Sequence, residues 1–448
     1  ISIKTNGNIY TELKNHCVYI NSNNNNLSLT IKFTKEEAIE PTDNSQIIKN
    51  TIKYWNNFWE KSGIIKLNQS SDKRAFELER RIILSQYLLA LNSSGSTPPQ
   101  ETGLTCNSWY GKMHLEMYLW HSAWLPLWNQ KDMLERSLNW YINHLKEAKD
   151  NAKINGYKGA RWPKMIATEG VDCPSPVAPL LVWQQPHVIY MLEMCYRQEP
   201  SSTLLEKYWI LVEETAIFMA DYVVWNENTN CYDILAPVIP AQECHKETET
   251  HNPAFELEYW RVTMDIAIDW AKRLNKNIDD KWLHVAQNMA MLTEKNNVYL
   301  AHEKCPTTFT EFNRDHPSML CAYGLLPSNR INEKTMENTL NLVIDCWNYP
   351  TMWGWDFAVM AMTAVRLNKP EIAIEILLKE TEKNCYLISG NNMQISRKDL
   401  PLYLPGNGSL LLAAAIMVAG YDGCSTEYPG FPKDGKWVVE YENIHKFM

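Results

Sequence analysis

Nothing in these 448 residues stays apolar for long: the longest such stretch, between residues 410 and 419, runs about ten residues where a membrane-crossing helix needs roughly twenty. A transmembrane helix is thereby excluded. Basic blocks are missing too. The 43 Lys and Arg against 52 Asp and Glu leave a net charge of −9, spread along the chain, which argues against a nucleic-acid or anionic-membrane partner. The 11 cysteines form no CxxC pair and are odd in number, so neither a zinc framework nor a full disulfide lattice is indicated. Most read as small buried hydrophobes. Phenylalanine is scarce, with 10 residues beside 18 Trp and 22 Tyr. The favoured rings stack while offering a polar edge, which suits a sugar-binding cleft as well as an amphipathic core. The chain opens on Ile1 without a charged-then-apolar leader, which suggests a trimmed piece of a longer protein. It reads as soluble, with cytoplasm and periplasm both open.

Residues 1 to 45 alternate in short stretches, Cys17-Val18-Tyr19-Ile20 and Leu27-Ser28-Leu29-Thr30-Ile31, around an Asn-rich turn at residues 21–26. This is a strand pattern, too small to bury a core alone, so it reads as the remnant of a β domain or an edge packed beside the helical region. Residues 46 to 70 read as a helical linker. From residue 71 the period becomes helical, with candidates at 72–94, 112–127, 130–150, 182–198, 202–225, 252–275, 279–293, 316–326, 332–347, 353–368, 370–382 and 408–420. Connections after the first, third, fifth, seventh and eleventh are long and rich in Gly, Pro and Trp. Those after the second, fourth, sixth, eighth and tenth are tight. Six helical hairpins with long loops at one end predict an all-α, closed (α/α)6 barrel over 71–448, its even-numbered, more apolar helices forming the inner ring. An α-solenoid would show a sequence repeat and uniform loops, and neither is seen.

The even helices begin with polar groups: Lys112, His114, Glu116 and Trp120; Gln184, Gln185 and His187; Asn252 and Glu256; Asp315 and His316; Trp353, Trp355 and Asp356; Asn407. Each alone reads as a cap or a satisfied buried group, whereas six sets at one end point to a polyol-binding bowl. The loop around Arg161 and Trp162 puts a cation beside a ring. In Ile239-Pro240-Ala241-Gln242-Glu243-Cys244-His245, a carboxylate stands among largely apolar residues, as a general acid requires. His245, Glu247, Glu249 and His251 invite a metal reading, but their spacing fits no standard zinc motif. Neither metal nor cofactor is expected.

At these residues the chain resembles the six-hairpin glycosidases, especially glycoside hydrolase family sixty-five and its relatives, the maltose, kojibiose and trehalose phosphorylases and acid-trehalase-like hydrolases. Pro240-Ala241-Gln242-Glu243-Cys244-His245 and Asn252-Pro253-Ala254-Phe255 fall at the spacing of the family's acid segment, which implies that Glu243 is the general acid. Gly159-Ala160-Arg161-Trp162-Pro163 matches a family loop. Gly111-Lys112-Met113-His114-Leu115-Glu116 is similar to a family helix start, which implies a substrate-hydroxyl role for Glu116. Gln184-Gln185-Pro186-His187 and Tyr403-Leu404-Pro405-Gly406-Asn407-Gly408 are similar to further family segments. The phosphorylases' His and paired Ser are missing from residues 390–399, and the hydrolases' base Glu has no counterpart there. Asp399 is the carboxylate in that loop and the first candidate base, with Asp356 and Glu116 behind it.

The expectation is an inverting hydrolase of an α-linked oligosaccharide or glycoside: Glu243 protonates the leaving oxygen and a second carboxylate activates water on the opposite face. Lys112, His114, Trp109, Glu116, Arg161, Trp162, Gln185, His187, His245, Asn252, Trp355 and Asn407 would hold the sugar. A disaccharide phosphorylase ranks second, with Arg397 and Lys398 as phosphate cations. A polysaccharide lyase would want a cationic groove, which this acidic chain does not suggest. An inactive sugar-binding protein would not need an isolated Glu in an apolar loop. The sequence leaves a homodimer open.

Overall fold

A computed structural model describes residues 1–12, 17–23, 25–34 and 40–448. The expected Asn-rich turn includes residue 24, which lies outside them. Two compact units are present, Ile1–Ser62 and Gly63–Met448. In the first, Ser2–Thr5 pairs antiparallel with Leu29–Lys32 and Asn8–Glu12 with Cys17–Asn21, and an amphipathic helix spans Asn44–Lys61. The second opens with the strand Ile64–Lys66, paired with Glu440–Glu442.

The second unit is an (α/α)6 barrel. Its inner helices are Leu115–Ser122 with the turn Trp124–Leu127, His187–Gln198, Ala254–Arg273, the short Cys321–Gly324 behind a 3-10 turn, Gly354–Arg366 and Leu404–Ala419. Each packs on the next, and the sixth packs on the first, which closes the ring. The outer helices Ala75–Asn92, Lys131–Asn143, Ser202–Tyr222, Asp280–Asn288, Glu333–Cys346 and Pro370–Leu377 fill the spaces between them. A helix surrounded by helices must be apolar on all sides, and every residue of Leu404–Ala419 and Gly354–Arg366 is buried. Outer helices instead carry a charged face, as Lys131–Asn143 does.

Two glycines mark where inner helices touch. A Cβ on Gly408 would collide with the Trp120 carbonyl, and one on Gly324 with Thr363 and the Val359 carbonyl, so only a missing side chain lets these backbones approach. The third predicted helix is longer than expected and breaks at His144, continuing as Leu145–Ile154. Among the described residues no helix is long and apolar enough to cross a membrane.

Candidate active site

The long connections surround a cavity of about 560 Å³, lined by Glu101, Trp109, Lys112, His114, Glu116, Lys164, Glu243, Asp315, His316, Trp353 and Tyr403 among others. Two of these residues, Trp109 (φ 49°) and Asp315 (φ 62°), hold the left-handed conformation that costs a non-glycine residue free energy.

Local pairing explains how the acidic floor is assembled. Met113–His114 pairs with Met165–Ile166, and the Leu115 N–H donates to the Lys164 carbonyl at 2.9 Å. Lys164 is thus laid beside Glu116, which stands in the first turn of the first inner helix. The loop bearing Glu243 is fastened at three points. Ile239 N–H donates to the Leu180 carbonyl (2.9 Å), Ala241 N–H to Glu256 Oε1 (2.6 Å), and the Gln242 amide to the Phe312 and Arg314 carbonyls (2.6 and 2.8 Å). Glu243 itself stays 32% exposed, and its carboxylate accepts a hydrogen bond from the Lys164 ammonium. The same ammonium lies 3.2 Å from Glu116 Oε2.

Burial pushes the Glu116 carboxyl up to about 8; Lys164 opposes this, and the charges of Glu243 and Glu101 reinforce it. Burial thus opposes ionisation of Glu116 more than Lys164 favours it. Burial also opposes ionisation of Glu101, yet the His114 ring and the Trp109 indole N–H beside it take its pKa below the ordinary value. On the other side, Asp315 accepts the Glu243 backbone N–H and is raised by burial and then by the Glu243 charge. His316 sits between two acids, 2.8 Å from Asp356 and 3.7 Å from Asp315. Burial alone would lower it, but the two carboxylates outweigh burial and lift it to about 9.

Beneath the cavity lies a stack of rings: His316 on Trp355 (4.1 Å), Trp355 on Trp120 (4.8 Å) and Trp183 at 6.2 Å from Trp355. Trp355 is thus buried floor. His187, also buried, bonds the Tyr259 hydroxyl and the Glu116 carbonyl (both 2.9 Å) and supports the first inner helix from below.

Of the residues expected from sequence, Glu243, Glu116, Lys112, His114 and Trp109 line one cavity. The others lie elsewhere. Asp399 is 63% exposed and held bidentate by Arg397 at 2.9 and 2.7 Å, outside the cavity lining. Asp356 is fully buried, accepting from His316 and from the Trp353 N–H at the start of its helix. Gln185 fastens the loop of residues 159–163, accepting from Trp162 N–H and donating to the Ala160 carbonyl. Arg161 and Trp162 face a separate 310 Å³ cavity with His144 and Asp172. Asn252 ties Ile234 to Asp233 and Glu303, and Asn407 ties Ser85 to Gly390 and Asn392. Glu101 belongs to the lining without having been expected there, while Lys164 and Tyr403 stood in segments the sequence had singled out. Lys164 sits one residue past the Gly159–Pro163 motif, a signal that was available. Asp315, His316 and Trp353 were already visible among the polar helix starts.

Two groups bring possible metal ligands within 4.8 Å of one another: His245 with His302 and Cys305, and Glu101 with His114 and Glu116. In the first, the Lys304 N–H donates to His302 Nδ1, so the proton of that ring lies on Nε2, 3.2 Å from His245 Nδ1. Burial lowers the two rings to about 4 and about 3, so this is a pair of neutral imidazoles joined by a proton. Two lone pairs aimed at an ion would need the opposite tautomer at His302. In the second group, Glu116 is already engaged by Lys164.

No protein-family model matches the chain. Its sequence is similar to a protein-glucosylgalactosylhydroxylysine glucosidase of Gallus gallus, 26% identical over 34% of this chain and 22% of that protein. A kojibiose hydrolase of Mucilaginibacter mallensis is 28% identical over 46% of this chain and 30% of its own length. A periplasmic/secreted acid trehalase of Candida glabrata is 23% identical over 55% and 20%. The matched stretch thus spans less than a third of each relative. In fold, the chain is similar to a structure named as a kojibiose phosphorylase from human microbiome, with a TM-score of 0.67 at 12% identity over 86% of this chain and 60% of that one. It is also similar to a glycosidase solved in complex with glucose, with a TM-score of 0.59 at 12% identity over 76% and 97%.

Proposed function

We propose that this chain, a relative of the six-hairpin glycosidases of the family sixty-five type, hydrolyses an α-linked glycoside or oligosaccharide with inversion, using Glu243 as general acid. The observation that carries this is the row of carboxyl groups Glu101, Glu116 and Glu243 in one ring-lined cavity, held in three different electrostatic environments.

Glu243 is the exposed member and can reach a glycosidic oxygen. Lys164 donates to its Oε1, so a glycosidic oxygen has to take over that contact. Glu116, buried and with its ionisation disfavoured, can hydrogen-bond a sugar hydroxyl, in keeping with the family resemblance. Glu116 and Glu243 touch one ammonium and so stand closer than the roughly 6.5–9.5 Å that an intervening water needs. Asp399 is paired at the surface, and Asp356 is closed off by His316. Glu101 remains. It is ionised and it lines the cavity. Protonation by Glu243 breaks the glycosidic C–O bond, while water loses a proton to Glu101 as it attacks the opposite face of the anomeric carbon.

The test is a screen of α-linked disaccharides and aryl α-glycosides with the product anomer read by NMR. Glu243→Gln should lose about 10²–10⁴-fold on disaccharides and much less on glycosides with activated leaving groups. Glu101→Gln should lose activity on both and regain it with azide. Ordinary disaccharide turnover by Glu243→Gln would refute the assignment of the acid.

A further inference from the structure

The loop that walls the active cavity has a second side. Gln100 and Glu101 are neighbours in the chain, as are Met113 and His114, yet Glu101 and His114 line the acidic cavity while Gln100 and Met113 line another, of about 340 Å³. For Met113–His114 this is the alternation of successive strand side chains between opposite faces. The segment of residues 98–114 is therefore a partition between two cavities of different chemistry. Among the described residues the second is lined by no titratable group.

Its polar atoms are not all used by the fold. Ser93, 4% exposed, follows the first outer helix and donates its N–H to the Leu89 carbonyl, but among the described residues its hydroxyl has no hydrogen-bond partner. The buried side-chain oxygen of Gln100 has none either, and a Cβ on Gly111, which lines the same cavity, would lie 4.0 Å from it. Leaving such buried groups unbonded costs folding free energy. The rim is apolar: Leu104 is 81% exposed and held by its N–H on Asn92 Oδ1 (3.1 Å), and Leu91 is 51% exposed.

An ion would find no countercharge here. A neutral ligand with hydroxyls on its edge and C–H groups on its face matches the lining, since the Gln100 oxygen accepts, the Ser93 hydroxyl donates or accepts, and the leucines cover apolar surface. The volume is that of a small-ligand site.

We propose that this cavity is a second, non-catalytic saccharide site, which holds an uncharged glycosyl unit against Ser93 and Gln100 on the reverse of the wall that carries Glu101 and His114. The choice of a saccharide among neutral polyols rests on the glycosidase reading of the active cavity.

The test uses the full chain carrying Glu243→Gln, to suppress turnover, with isotope-labelled methionine methyl groups. Met113 lines the second cavity, and Met117 and Met165 line the active one, so each cavity has its own NMR reporter. Maltose and trehalose are titrated in turn, and at least one of them should shift Met113 saturably. Ser93→Ala and Gln100→Leu should each weaken that response about tenfold, the loss expected for one hydrogen bond, and leave the Met117 response unchanged. Ser93→Ala should unfold at the same or a higher denaturant concentration than its parent, because it deletes an unbonded hydroxyl. A lower midpoint would assign that hydroxyl to the fold and overturn its role toward a ligand. A silent Met113, or a Met113 response that follows the Met117 curve and is unchanged in both variants, would overturn the proposal. A saturable shift of Met113 with none at Met117 and Met165 would keep the second site and refute the sugar reading of the active cavity.

Discussion

The ammonium of Lys164 lies 3.2 Å from the carboxylate of Glu116 because a two-residue strand pair lays their segments side by side. That ammonium also holds Glu243, so one cation governs both. Lys164→Met should raise the pKa of Glu116, which Lys164 holds down, moving the alkaline limb of the kcat/KM profile to higher pH. It should also lower kcat more than tenfold, while Lys164→Arg, which keeps the charge, restores the limb. A purely structural role would leave the pH profile in place.

Glu256 accepts the Ala241 N–H that anchors the Glu243 loop, and burial lifts its carboxyl to about 7. A carboxyl raised in the folded state binds a proton that the unfolded chain releases, so stability falls as pH rises from about 4.5 to 7. Glu256→Gln keeps an acceptor oxygen and removes this titration. Denaturant unfolding should find the variant more stable than the wild type at pH 8, by about 1–3 kcal/mol, and the gap should close toward pH 5.

His316 runs the other way. Asp356 and Asp315 raise it to about 9 in spite of burial, so its stabilisation is full below the unfolded value of 6.5 and is lost as pH climbs through 9. Asp356→Asn also removes an acceptor at the start of the fifth inner helix. Thermal unfolding should show a loss of roughly 3–5 kcal/mol near pH 6, shrinking by pH 10.

The barrel was legible because its signal is repeated: long Gly- and Pro-rich loops alternate with tight turns, and the inner helices are apolar all round. Glu243 and Glu116 were legible as parts of spaced motifs. Asp399 has the right place along the chain for a base, ahead of Tyr403-Leu404-Pro405-Gly406, but Arg397 two residues away takes its carboxylate to the surface. Asn252, Asn407 and Gln185 belong to another group. A polar side chain at a helix start looks the same in sequence whether it meets a ligand or fastens a neighbouring loop, and these fasten loops. Glu101 had no period or motif around it, since its environment comes from His114 and Trp109.

Tyr403 packs 5.5 Å from Trp353, its hydroxyl meeting Met117 Sδ, so the wall of the cavity joins the last hairpin to the first. Tyr403→Phe removes the hydroxyl, with its contacts to Met117 and Trp355, and keeps the ring. It should leave the unfolding midpoint nearly unchanged, within about 0.5 kcal/mol, whereas Tyr403→Ala should cost about 3–5 kcal/mol.

The seat of Gly408 against the Trp120 carbonyl also sets an order of events in folding. The two partners are separated by most of the barrel sequence, so the ring closes only after the last inner helix has been synthesised. Until then the flank of the first inner helix stays uncovered, and the two ends of the incomplete ring are free to join a neighbouring chain. The seam between the first and last hairpins is therefore where a nascent or truncated chain would aggregate, and Gly408→Ala, which obstructs that seam, should slow refolding more than it speeds unfolding.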